Sequence, residues 1–172
     1  MNARSIPAQI LLALLYVVTQ AYLGSQLVLF DTAFTFLYIG FLLMLPFEVG
    51  PITLMVVGFF MGLGVDVFSD TLGINAVAST VMMFIRPGVV NILMPQGGLE
   101  SGAVPSLRMM GLGWYLRYTL SLIFVHHLVL FFLEAFTFRY FLQTISQVLA
   151  SSVITFMTLL IIQLAFYRKT RV

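Results

Sequence analysis

The chain has 172 residues, of which 61% are hydrophobic and 8% charged, with a mean hydropathy of +1.09. Soluble domains carry about 25% charged residues, so this composition excludes a soluble globule and predicts one membrane-embedded domain, 1–172. A net charge of +2 spread along the chain is no nucleic-acid footprint, and the absence of cysteine excludes disulfides, thiol nucleophiles and Cys-ligated metal centres.

A spanning helix needs about 20 mostly apolar residues. Residues 5–30 carry no charge and predict a first helix over 6–26. No small-residue cleavage site follows a short apolar core, so this span is expected to be retained. A second helix is expected over 32–46, closing at Pro46. The third, 51–68, begins at Pro51, a residue suited to a first helical turn. The fourth, 74–94, is interrupted by Arg86-Pro87, where a kink or an early end is expected. The loop PQGGLESGAVPSLRMMGLG (95–113) has room for a short interfacial helix. A fifth helix covers 111–134 and a sixth 138–167. The expected fold is an all-α bundle of six transmembrane helices.

Lysine and arginine orient such a bundle. With six spans, one side collects Arg4, Arg108, Arg168, Lys169 and Arg171, with Arg86 and Arg117 in the nearer halves of their helices. The opposite side receives Arg139, Asp31, Asp70 and Glu134. Both termini are therefore expected in the cytoplasm, with Arg168, Lys169 and Arg171 anchored to anionic lipid.

Polar residues inside spans are costly and normally face protein or a water-filled cavity. Gly58, Gly62 and Asp66 recur at i, i+4 and i+8 and share one helix face. Small residues at that spacing admit a neighbouring backbone, so Asp66 is expected to point at another helix, with hydroxyls or an imidazole of the fifth helix as candidate partners. Ser69, Asp70, Thr71 and Gly73 predict a tight outer turn. In the fourth helix Asn75, Ser79 and Arg86 share a face. Arg86 is expected to find Glu48, backbone carbonyls at the kink, or lipid phosphate, and to lie too far down its helix to pair with Asp66.

His126 and His127 are adjacent and so point about 100° apart, which rules out joint coordination of one metal; packed or hydrogen-bonded rings are expected. Gln143, Gln147, Ser151, Thr155 and Thr158 form a polar stripe on the sixth helix, suited to interhelical hydrogen bonding or to lining a polar substrate. There is no G-x-S-x-G elbow, P-loop or paired-histidine zinc motif. No enzyme, cofactor or metal site is expected.

The string GFFMGLGVDVFSDTLGINAVAST…MMFIRP, with LPFE just upstream, resembles the rod shape-determining protein MreD family, particularly its Bacteroidetes forms. The matching positions are Gly58, Gly62, Leu63, Asp66, Phe68, Ser69, Asp70, Thr71, Gly73, Asn75 and Ala76, followed by Arg86-Pro87. The likeness is specific over about 45–87. Asn75 stands where a histidine is frequent, and Asp31-Thr32 replaces a proline–aspartate signature only loosely.

The resemblance implies a six-helix protein of the bacterial inner membrane in the cell-wall elongation machinery. Its implied partners are MreC directly, RodA with its penicillin-binding transpeptidase and MreB directly or indirectly, membrane lipids, and a second copy of the chain. The family's bundle is similar to the substrate-binding subunits of energy-coupling-factor vitamin transporters. Two functions follow as expectations. One is a non-catalytic scaffold, with the turn 69–73, the loop 95–113 and a glycine-rich helix face as contact surfaces. The other is the substrate-binding subunit of a small-molecule transporter.

Overall fold

Long apolar helices dominate the fold, and their ends follow from local chemistry. The structure, a computed structural model, describes residues 6–23, 28–29, 33–94 and 103–165. In chain order these form α1 (Ile6–Leu23), β1 (Val28–Leu29), β2 (Ala33–Phe34), α2 (Ile39–Leu43), α3 (Pro51–Ser69), α4 (Ile74–Leu93), α5 (Leu107–Met110), α6 (Leu112–Ala135) and α7 (Phe141–Ala165). Four of them, α3, α4, α6 and α7, are long and apolar enough to cross a membrane, and α1 contributes a shorter apolar helix. The protein is a mostly helical, membrane-embedded one.

The extended Gly50 leads into Pro51 at the start of α3, where the missing proline N–H costs nothing. Asp70 and Gly73, both left-handed at φ 53° and 87°, turn the chain into α4. α4 continues through Pro87 to Leu93, so the early end expected at Arg86-Pro87 does not occur. Ser106 caps the single turn of α5 by accepting the Met109 N–H at 3.3 Å. Arg4, Asp31, Thr32, the loop portion 95–102, and Arg168, Lys169 and Arg171 lie outside the described residues.

The expected second helix, 32–46, is corrected by the structure. In place of a spanning helix there is a two-residue antiparallel ladder, with Val28 opposite Phe34 and Leu29 opposite Ala33. Thr35 and Phe36 follow outside any regular element, and a turn at 37–38 leads into the five-residue α2. The physical reason lies in FTFLY (34–38): aromatic and β-branched residues in succession favour extended backbone. Every residue from 33 to 45 is buried or half-buried, so no face was left for lipid.

An extended segment inside a bilayer must have its backbone polar groups satisfied by protein. Here side chains do it. On one edge, Phe34 N–H donates to Ser151 Oγ (3.0 Å), Phe36 N–H donates to Thr155 Oγ1 (3.2 Å), and Thr155 Oγ1 donates to the Phe34 carbonyl (3.3 Å). On the other, Gln20 of α1 accepts the Leu37 N–H at 2.5 Å and donates to the Thr35 carbonyl at 3.1 Å. The segment runs alongside α7. Phe34 meets Ser151, a Cβ on Gly40 would meet Leu159, and Gln163 donates to the Met44 thioether at 2.9 Å.

The polar stripe of the last helix is therefore split. Ser151 and Thr155 are buried against the inserted segment, whereas Thr158 bonds its own helix at Ile154 and Gln143 is exposed. The main apolar core lies around Leu42, Leu54, Met82, Leu122 and Ile123, all within 1% of full burial.

Candidate functional site

Close packing of α3 on α4 positions the first part of the site. A Cβ on Gly58 would lie 2.8 Å from Met83 Cγ and 2.9 Å from the Ser79 carbonyl oxygen. One on Gly62 would lie 2.6 Å from Ala76 Cα and against the Asn75 carbonyl. Apart from Met83, these contacts are with backbone, which cannot rotate away. They bring Asp66, one turn further along, to the N-terminus of α4.

A helix start leaves backbone N–H groups without intrahelical partners, normally met by a side chain at the residue before the first turn. That residue is Gly73, which has none. Asp66 supplies the acceptor from the preceding helix. Its Oδ1 accepts the Asn75 N–H and Nδ2–H at 3.0 Å each and the Thr71 hydroxyl at 2.5 Å. Its Oδ2 accepts the Ala76 N–H at 2.9 Å. A carboxylate is well suited there, because it meets the positive end of the α4 dipole with charge-assisted bonds. These partners come from the turn and α4, not from the histidine-bearing helix expected to provide them.

Asn75 carries the network inward. Its amide donates to Asp66 and Thr71, and its Oδ1 accepts the Tyr38 hydroxyl at 3.3 Å. That hydroxyl also meets Ser79 Oγ at 3.0 Å and His126 Nε2 at 2.7 Å. Apart from Thr71, these residues are buried. The neighbouring His127 turns away, its Nδ1 donating to the Ile123 carbonyl at 2.8 Å while its ring meets the edge of Phe36 at 5.0 Å.

Arg86, only 1% exposed, serves the other end of the inserted segment. Its Nε donates to Tyr118 Oη at 2.7 Å, and Nη2 donates to the Leu45 carbonyl. Tyr118 in turn donates to the Leu43 carbonyl at 3.0 Å, and Trp114 stacks on it at 4.8 Å. Carbonyls at a helix C-terminus are unpaired and electronegative, so a cation completes α2 there. The carbonyl that Arg86 meets belongs to the inserted segment and not to its own helix.

At the end of the bundle where α3 turns into α4 and α6 into α7 lies a partly open cavity of about 430 Å³. Gln20, Phe36, Asn75, Phe131 and Glu134 contribute to its lining, as do Ser69 and Thr71 of the turn. Of the expected turn residues, Ser69 and Asp70 are exposed, and Thr71 is half-buried with its hydroxyl on Asp66. Leu72 between them is 99% exposed. Among the described residues, no group of three or more His, Asp or Glu gathers as a metal site.

Sequence reasoning overlooked Gln20, Tyr38 and Tyr118. Gln20 had a signal, being one of three amides in a charge-free run. The two tyrosines had none, because aromatic residues are ordinary in spans. Comparison of the chain with protein-family models, curated proteins and solved structures finds no match.

Proposed function

We infer that the protein is a non-catalytic scaffold of the bacterial inner membrane, an MreD-type component of the cell-wall elongation machinery. One observation carries the reading. Asp66, the carboxylate at the centre of the MreD-like string, has both oxygens engaged by α4 and the turn before it. A residue so engaged shapes a helical hairpin, and Asp66 is not among the residues that line the cavity. Six passes with both termini cytoplasmic accommodate the inserted segment as the second crossing. It descends beside α7, using side chains where the other passes use helix. The partners of such a scaffold are MreC, with RodA, its transpeptidase and MreB in the same assembly.

The experiment is affinity purification of the full-length chain from membranes of its native cell. A single-span protein with a large periplasmic region is expected to be retained, and less of it by Asp66→Asn. Retention of an ATPase pair with no such protein would replace this reading. The second reading, a solute-binding transport subunit, draws on the 430 Å³ cavity, a volume within the range of small-molecule sites. It predicts a small molecule carried through purification, and Asp66→Asn would then impair uptake alone.

A further inference from the structure

The cavity has a chemical bias beyond its size. Its polar groups divide into two sets. Gln20 is committed through both amide ends to the inserted segment, and Asn75 and Thr71 are committed to Asp66. The second set is Thr35, Ser69 and Glu134, of which Glu134 is the one charged residue of the described lining and has no hydrogen-bond or ionic partner among the described residues. Arg139, five residues on, lies over the Tyr140 ring at 5.7 Å. Among the described residues, no lysine, arginine or histidine lines the cavity.

Beside this carboxylate stands an aromatic wall. Phe131 lies one helical turn before Glu134, and its ring sits 5.9 Å from that of Phe34 and 6.3 Å from that of Phe36. Phenylalanine faces present negative potential, and a cation within about 6 Å of a ring centroid is attracted, most strongly where water is excluded. A lone carboxylate beside three such rings repels anions and leaves a neutral solute with no partner for the charge. We propose that this cavity binds an ammonium group attached to an apolar body, with Glu134 as counter-ion and Phe34, Phe36 and Phe131 as the cation-facing wall. The ammonium has two sources, a free organic amine or an ethanolamine lipid headgroup. The site stands independently of the scaffold reading.

The test uses full-length protein in nanodiscs of phosphatidylglycerol, with benzyltrimethylammonium as probe. Its uncharged carbon isostere, neopentylbenzene, and phenylacetate are the comparisons, with binding read by saturation-transfer NMR. The cation is expected to bind at least about tenfold more tightly than the isostere, and phenylacetate not at all. Glu134→Gln lies at an exposed helix end. It is expected to weaken cation binding about tenfold while leaving the isostere unchanged. Replacing half of the lipid with phosphatidylethanolamine then identifies the source. Competition with the probe marks the headgroup, and undiminished probe binding marks a free amine. Equal binding of cation and isostere, or a Glu134→Gln protein that binds the cation as before, overturns the proposal. Retention of the single-span partner by Glu134→Gln is expected throughout, so this result and that of the scaffold test are read separately.

Discussion

The α3–α4 hairpin and the inserted segment 33–45 are both buried in the bundle, yet they solve the backbone problem in opposite ways. The two helices bond most of their own N–H and C=O groups, and outside help comes at the ends of α4, from Asp66 at its start and Trp114 at the Leu93 carbonyl. Small residues suffice elsewhere along their contact. The inserted segment bonds internally only over 37–45, in and around α2, and not over 33–36. It borrows partners from four helices: Gln20 of α1, Arg86 of α4, Tyr118 of α6, and Ser151 and Thr155 of α7. Most of the buried polar residues thus serve main-chain groups. The comparison teaches that polarity inside this bundle marks where helix is interrupted, before it marks any chemistry.

Four substitutions sharpen or break that contrast. The largest effect is expected from Asp66→Leu. It orphans two buried N–H groups at roughly 1–3 kcal/mol each and removes their charge-assisted bonds, for about 4 kcal/mol in all. Unfolding in mixed detergent would measure the loss, and amide exchange should rise over 71–78 while 34–37 stay protected. Equal loss of protection in both regions would mean that they are not separate units.

Gln20→Leu is expected to cost about 3 kcal/mol, because one side chain serves both an N–H and a C=O. Exchange should now appear first at Leu37, the reverse of the previous pattern. If Leu37 remained protected, the amide of α1 would not be what holds the segment.

Gly62→Ala places a methyl against backbone and should destabilise by about 2 kcal/mol, within the usual range for overpacking. The same exchange map should show it in α3 and α4 together. A neutral or stabilising outcome would show that the two helices can separate without penalty. Thr155→Val should have the smallest effect, about 1 kcal/mol, since its bonds of 3.2 and 3.3 Å are long and one change keeps the shape. A cost above that of Gln20→Leu would shift the main support of the segment from α1 to α7.

How much of this was legible in the sequence depended on regularity. The spacing of Gly58, Gly62 and Asp66 reads as a helix face because α3 is an unbroken helix, for which i, i+4 and i+8 have one geometric meaning. Residues 32–46 offered no such constant. Their apolar content matches a spanning helix, and the alternating phenylalanine and threonine of 34–36 are equally at home in an extended chain. Deciding between the two requires the acceptors at Ser151 and Gln20, which are distant in sequence and invisible to any local pattern. Arg86 was readable as buried and costly, but its acceptor belongs to that same interrupted segment. The 430 Å³ cavity arises from four separated stretches and had no linear signature.

The two hydroxyls that serve the edge of the inserted segment lie 117 and 119 residues further along the chain than the groups they bond. A ribosome therefore releases this stretch long before its last helix exists. Until then the nascent polypeptide has to shelter 34–36 by some interim arrangement, such as a transient helix in the translocon. Its mature shape becomes attainable only once α7 has been made, so truncations that stop short of α7 should leave that early stretch exposed to quality-control proteases.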